Sequence, residues 1–255
     1  MKDVQQLEAK ILDRKWFYQF QLPGGSVTES YLPEYALPIH TTRQQMMSQF
    51  LDEEFGENIK DLRCVDLACH EGFFSHHLIL KGVKEVVGID ARQDHIEHAN
   101  LIRQVYAHEN LRFQVGDIQR LEMNEVGKFD FTLLFGILYH VENLMGALRF
   151  ARSITEKVCL IETQIVPNMT GITDWGSYKF TKEIVGCLAI IDETSELQHD
   201  NPEANVNPIS IVPSLPGLIW LLKSVGFKHT RVITPPADAY EQLASGKRVI
   251  IAAYN

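Results

Sequence analysis

The sequence predicts an α/β fold: a doubly wound, seven-stranded sheet with helices on both faces. Short apolar runs alternate with helical patterns through the middle of the chain, the signature of strand–helix–strand units. The strands are near-continuously apolar, as they are where helices cover both sheet faces. With 255 residues, 45% apolar and 22% charged, the chain makes one large domain with insertions. A chain of that size buries roughly 70–75% of its unfolded surface without needing disulfides or metal. The composition excludes a disordered chain, a collagen-like chain and a coiled coil.

Residues 1–60 read as an N-terminal extension with an aromatic cluster (Trp16, Phe17, Tyr18, Phe20), a Pro-Gly-Gly turn and a helix around Thr41–Phe55. Residues 61–255 carry the sheet. Arg63–Leu67 is its first strand, followed by a turn and a helix from about Phe73 to Lys81. Glu85–Ile89 is the second, with a helix from about Gln93 to Ala107. Leu111–Val115 and Phe129–Phe135 are strands three and four. A helix near Asn143–Ile154 leads to strand five, Lys157–Glu162. Leu215–Val225 is a helix stopped by Gly226, and Phe227–Ile233 and Arg248–Tyr254 are the last two strands. Between them, residues 165–213 are rich in Pro, Asn, Thr and Asp. An insertion that long inside a compact domain is expected to be functional, a lid over a site.

Lys+Arg of 24 against Asp+Glu of 33 gives a formal net charge of −9. That opposes broad electrostatic binding to nucleic acid or an anionic membrane. Four cysteines (Cys64, Cys69, Cys159, Cys187) form no CxxC pair and no zinc spacing. The N-terminus has no apolar leader core, and Phe129–Tyr139 and Leu215–Leu222 are too short to span a bilayer of about 20 residues. A cytoplasmic protein is expected.

Chemistry collects at the strand ends. Strand one runs into Val65-Asp66-Leu67-Ala68-Cys69-His70-Glu71-Gly72, strand two into Gly88-Ile89-Asp90, and strand three into Val115-Gly116-Asp117-Ile118. Strand four runs into Phe135-Gly136, with Tyr139 and His140 just beyond. In a doubly wound sheet, ligands bind outside these carboxyl ends. A single Asp there is explained by capping the next helix, but acids or small residues after four successive strands are not. An acid ending strand two accepts the hydroxyls of an adenosine ribose.

These segments (DLACHEGFF, VVGID, VGDIQ and FDFTLLFGILYHVENL) resemble the successive motifs of class I S-adenosylmethionine-dependent methyltransferases. LYHVENLMGALRFARSI followed by CLIET resembles, more narrowly, the branch with tRNA wobble-uridine methyl- and carboxymethyltransferase-like proteins. The resemblance covers about residues 60–165 and implies a Rossmann-like sheet whose final strand runs antiparallel. It implies S-adenosylmethionine as cofactor. Asp66, Ala68, His70 and Gly72 would form the loop near its methionine end. Asp90 with Ala91 would hold the ribose, Asp117 with Ile118 the adenine, and Phe135–Gly136 the methionine moiety. Ala68 and His70 stand where glycines are common. Either the loop backbone is shifted with the imidazole turned outward, or His70 contacts the cofactor.

Beyond the cofactor, His140 is the candidate general base, with Glu162 as a second. Trp16, Tyr18, Tyr139, Trp175 and Tyr178 are candidate substrate-pocket residues; the bland alternative for the N-terminal aromatics is packing onto the domain. No metal site is expected, and His76, His77, His95 and His98 read as solvated helix surface. The expected activity is O-methylation of a small molecule. A tRNA-modifying enzyme is the rival within the family, opposed by the acidic charge and by the lack of a recognisable basic group for a carboxylated donor. A nicotinamide-dependent oxidoreductase lacks its G-x-G-x-x-G, and a noncatalytic cofactor-binding protein is the remaining alternative.

Overall fold

The computed structural model describes residues 2–175, 178–192, 194 and 209–255. Its centre is a seven-stranded sheet built from β1 (Arg63–Leu67), β2 (Glu85–Asp90), β3 (Leu111–Val115), β4 (Phe129–Phe135), β5 (Thr155–Gln164), β10 (His229–Ile233) and β11 (Arg248–Tyr254). The order is β10-β11-β5-β4-β1-β2-β3. β1 to β5 pair in parallel, and β11 runs antiparallel to both β5 and β10. Only the final strand is reversed, as the resemblance implied.

Helices cover both faces. α1 (Lys2–Leu12), α2 (Pro38–Phe55), α3 (Phe73–Leu80) and α4 (Gln93–Val105) are followed by the short α5 (Met123–Val126). α6 (Leu144–Ile154), α7 (Leu215–Ser224) and the short α8 (Glu241–Ala244) complete the set. α6 shows why the sequence folds this way locally. Its apolar residues recur at helical spacing, so Leu144, Ala147, Leu148 and Ala151 form one buried stripe against β4 and β5. Asn143 caps it, its side-chain oxygen accepting from the Gly146 N–H at 2.9 Å.

The insertion is not one long loop. Gly171–Trp175 and Tyr178–Ile184 (β6, β7) form one antiparallel pair, and Leu188–Asp192 and Ile209–Pro213 (β8, β9) a second. Alternation along β9, with Ser210 and Val212 buried and Ile209 exposed, is the half-buried strand pattern that the surrounding Pro and Asn residues obscured.

The N-terminal aromatics belong to the core. Trp16 is fully buried, with Tyr18 and Phe20 nearly so. They share one apolar cluster with Met46 and Phe50 of α2 and with Phe131 and Leu133 of β4. The Trp16 indole N–H donates to the Ile11 carbonyl at 2.9 Å. Trp16 and Tyr18, expected to line a substrate pocket, therefore present almost no free surface; a ring this apolar gains more from packing than from facing a cleft. Trp16→Phe should cost about 1–3 kcal/mol, because the Ile11 carbonyl loses its buried donor. Denaturant unfolding measures this. Unchanged stability with lowered turnover would return Trp16 to the substrate surface.

Candidate active site

The sheet order brings the carboxyl ends of β3, β2, β1 and β4 side by side, so Asp117, Asp90, Asp66 and Gly136 share one edge. The loop after β1 determines the shape of that edge. Ala68, His70 and Gly72 all take left-handed backbone, with φ of 58°, 54° and 79°. Two non-glycine residues thus hold the conformation glycine favours, an arrangement that persists only where the surroundings enforce it. At Gly72 a Cβ would meet the Phe113 ring at 2.5 Å, so that position requires glycine.

The loop is tied down from both sides. The His70 N–H donates to Asp90 Oδ2 at 2.9 Å. The Glu71 carboxylate accepts the N–H groups of Phe17 at 2.9 Å and Tyr18 at 3.3 Å, binding the N-terminal strap to the loop. The His70 ring does not turn outward to solvent. It stacks on His95 at 3.8 Å and lies 4.9 Å from Phe17.

Asp90 is buried. Oδ1 accepts from the Arg92 N–H at 2.9 Å and faces His95 Nδ1 at 3.2 Å. Burial works to raise its carboxyl, but the His95 and Arg92 bonds and the nearby imidazoles prevail and hold it below the usual range. Asp66 differs. Burial pushes it up to about 7 against the lowering effect of the Ser75 bonds, and Asp90 adds to the rise. The Ser75 hydroxyl donates to Asp66 Oδ2 at 2.7 Å. Asp117 is half-exposed, its Oδ1 accepting from the Gln119 N–H at 2.9 Å, and Ile118 is buried beside it. Ala91 is exposed at the edge. Phe135 packs against Phe74 at 5.1 Å.

Past Gly136 (φ 70°) the chain makes a single turn of 3-10 helix, Leu138–His140. The His140 ring lies 4.3 Å from the Tyr139 ring. Tyr139 is clamped on both sides: the Ser210 hydroxyl of β9 donates to its carbonyl at 2.5 Å, and the Arg248 guanidinium donates to its hydroxyl at 3.0 Å. The second insertion hairpin is thereby fastened to this edge of the sheet.

Glu162 is fully buried at the end of β5. Arg248 donates to its Oε1 at 2.9 Å and Arg43 of α2 to its Oε2 at 3.4 Å. Burial alone would raise its carboxyl, but the two guanidiniums hold it below the usual range. It is thus an ionised anchor rather than a group free to shuttle a proton. A Cβ on Gly136 would sit 3.3 Å from the Arg43 guanidinium and 3.7 Å from Glu162, so the glycine leaves open the space that these groups face. Basic groups that the sequence did not reveal are therefore present here. Their sequence separation from Glu162, 119 and 86 positions, explains why no local motif exposes them.

His40, also unsuspected, is 3% exposed on α2, and its Nε2 has no hydrogen-bond partner. Burial first, then Arg43, His70 and Arg248, lower its imidazole to about 2, so it is neutral. His76, His77, His95 and His98, expected on solvated helix surface, are instead buried or partly buried. His76 is buried with Nδ1 2.9 Å from His108 Nε2, and burial, His77 and His108 lower it to about 3. Among the described residues no group of three or more His, Cys, Asp or Glu is arranged to hold a metal, and no helix is long and apolar enough to cross a membrane. The side chains of Trp175 and Tyr178 lie outside the described residues.

The methyltransferase-domain family matches residues 58–198 of the chain. The tRNA U34 carboxymethyltransferase of Actinobacillus pleuropneumoniae serotype 3 (strain JL03) is 21% identical over 186 residues, 72% of this chain and 51% of that protein. The O-antigen chain terminator bifunctional methyltransferase/kinase WbdD of Escherichia coli is 32% identical over 88 residues, 34% of this chain and 12% of that one. The chain spans about half the length, or less, of these relatives. Among solved structures, the N-terminal domain of EvdMO1, crystallised with S-adenosylhomocysteine and D-fucose, superposes with a TM-score of 0.66. It is 18% identical, and the match covers 99% of this chain and 94% of that one. Magnesium protoporphyrin IX methyltransferase from Synechocystis PCC 6803, with bound S-adenosylhomocysteine, gives 0.58 at 16% identity, covering 89% and 90%.

Proposed function

The chain belongs to the methyltransferase-domain family, and we propose that it uses S-adenosylmethionine to methylate an oxygen of a small molecule in the cytoplasm. The residues at the edge suit the cofactor. The left-handed loop keeps its backbone open, and Asp90 retains acceptor capacity toward ribose hydroxyls. An ammonium group beside Asp66 would reverse the rise that burial imposes. Asp66, Ala68, His70 and Gly72 would hold the methionine end, with Phe135 and Gly136 beneath it. Asp90 and Ala91 would hold the ribose, and Asp117 and Ile118 the adenine. Bound there, the cofactor supplies a methyl group on a sulfonium.

The chain's own task is to orient the acceptor, exclude water and take up one proton. The observation that carries the reading is the fastening of Tyr139 by Arg248 and Ser210, which fixes the neighbouring His140 just past Gly136. His140 would accept the acceptor's proton, and the N-terminal extension with the insertion would cover the acceptor. A net charge of −9 supports a small acceptor over a polyanion.

The second reading, tRNA modification, is favoured by the named relatives and by the buried Arg43 and Arg248, which offer positive charge to a carboxylated donor. Incubation with labelled S-adenosylmethionine, and separately with its labelled carboxylated counterpart, in the presence of either a metabolite extract or total tRNA tests both. Label in small molecules supports the first reading, and label only in tRNA overturns it. For the cofactor, Asp90→Ala should weaken S-adenosylmethionine binding by at least about tenfold, since a charge-assisted bond is worth about 1.5–3 kcal/mol. Calorimetry reads this, and unchanged affinity removes Asp90 from the ribose site.

A further inference from the structure

Beside the His70–His95 stack lies a cavity of about 420 Å³ that shares His70 with the cofactor loop and is otherwise lined by residues that the cofactor reading does not use. Three segments build it: the N-terminal strap with Arg14 and Lys15, the first loop with His70 and Glu71, and the start of α4 with Arg92, Asp94 and His98. In a chain of net charge −9, its lining carries three cationic side chains, Arg14, Lys15 and Arg92, against two carboxylates, Glu71 and Asp94.

Two buried nitrogens on this wall have no hydrogen-bond partner, Arg14 Nε and His98 Nδ1. The Arg14 guanidinium lies 5.3 Å over the Trp16 ring, which fixes it in place without neutralising it. Glu71 spends Oε2 on the strap N–H groups, and its Oε1 is 4.0 Å from His98 Nδ1. Lys15 is paired with Glu29 at 2.5 Å in solvent, a weak and exchangeable contact. The amino terminus of α4, a helix of 13 residues, opens on the same space and favours negative charge.

We propose that this cavity binds the phosphate group of a phosphorylated small molecule, and that the methyl acceptor is drawn from that class. The second clause rests on the small-molecule reading above; the first does not. Arginine recognises phosphate through several donors at once, and the cavity is wide enough for a sugar phosphate. The positive field is visible on His98: burial, then Arg14 and His95, together lower its imidazole to about 4 against the opposing effect of Asp94. An incoming anion would relieve that repulsion.

The chain is saturated with S-adenosylhomocysteine, so that the cofactor crevice is filled, and titrated with ribose 5-phosphate and with ribose. Ribose 5-phosphate should bind at least about tenfold more tightly. Arg14→Gln combined with Arg92→Gln should erase the difference while S-adenosylhomocysteine affinity stays within about twofold. Should that variant not fold, Gln93→Glu, on the exposed first turn of α4, should weaken ribose 5-phosphate at least about fivefold by like-charge repulsion. Equal binding of the two sugars, or indifference to the substitutions, overturns the proposal. Displacement of ribose 5-phosphate by far lower concentrations of tRNA assigns the site to a nucleic-acid backbone and also overturns it. These are binding measurements, so phosphate can bind here even if small-molecule methylation is never observed, and the two failures remain distinct.

Discussion

Arg248→Ala should destabilise the protein by about 3–5 kcal/mol, because it leaves a fully buried carboxylate short of its nearer cation. Glu162 would then face only Arg43 at 3.4 Å. The Tyr139 hydroxyl would lose its donor, and Gln242 the guanidinium that bonds it at 2.6 Å. For a chain of this size each kcal/mol moves the midpoint by about 2–4 °C, so a loss of roughly 10 °C is expected in thermal unfolding. The double variant Arg248→Leu with Glu162→Leu should lose less than Arg248→Ala, since an apolar pair removes the stranded charge. A single variant within about 0.5 kcal/mol of wild type would show that the ion pair does not hold β11 onto β5.

What the sequence disclosed follows from the range of the interactions involved. The strands were legible because each is a short apolar run ending in an acid or glycine, and their parallel order follows from the helices between them. Asp66, Asp90, Asp117 and Gly136 were placed on one edge for the same reason. The first loop was half legible. The absence of glycine at Ala68 and His70 left two readings, a shifted backbone with the imidazole outward or an imidazole against the cofactor; φ values of 58° and 54° show the left-handed conformation that glycine favours. What sustains it is distant in sequence: Phe17 and His95 enclose the imidazole, and Glu71 binds the strap.

The Arg43–Glu162–Arg248 cluster was illegible because no periodicity connects α2, β5 and β11; only the folded sheet makes them neighbours. The aromatic cluster at Trp16–Phe20 posed a different difficulty. An apolar cleft and an apolar core ask for the same residues, and sequence does not say which side of them water occupies. Burial of Trp16 and its bond to Ile11 decide for the core.

His140→Ala should lower turnover by about 10²–10⁴-fold, the usual contribution of a positioned base, with little change in S-adenosylmethionine affinity. The residue stands on a single 3-10 turn immediately past β4, where the chain has no freedom to drift. Its N–H donates to the Ile137 carbonyl at 2.8 Å, and its ring rests on a tyrosine held by Arg248 and Ser210. Because that support is independent of the imidazole, His140→Ala should leave the fold intact, and the loss should appear in kcat rather than in unfolding. Ser210→Ala provides the control. It frees the Tyr139 carbonyl without touching the imidazole, and should lower kcat by a smaller factor if positioning of His140 matters. A His140→Ala variant with normal kcat would mean that the acceptor arrives already deprotonated, its proton lost to water before binding. Such an acceptor needs no protein base, and the surplus positive charge of Arg43 and Arg248 would then be what draws it to the edge.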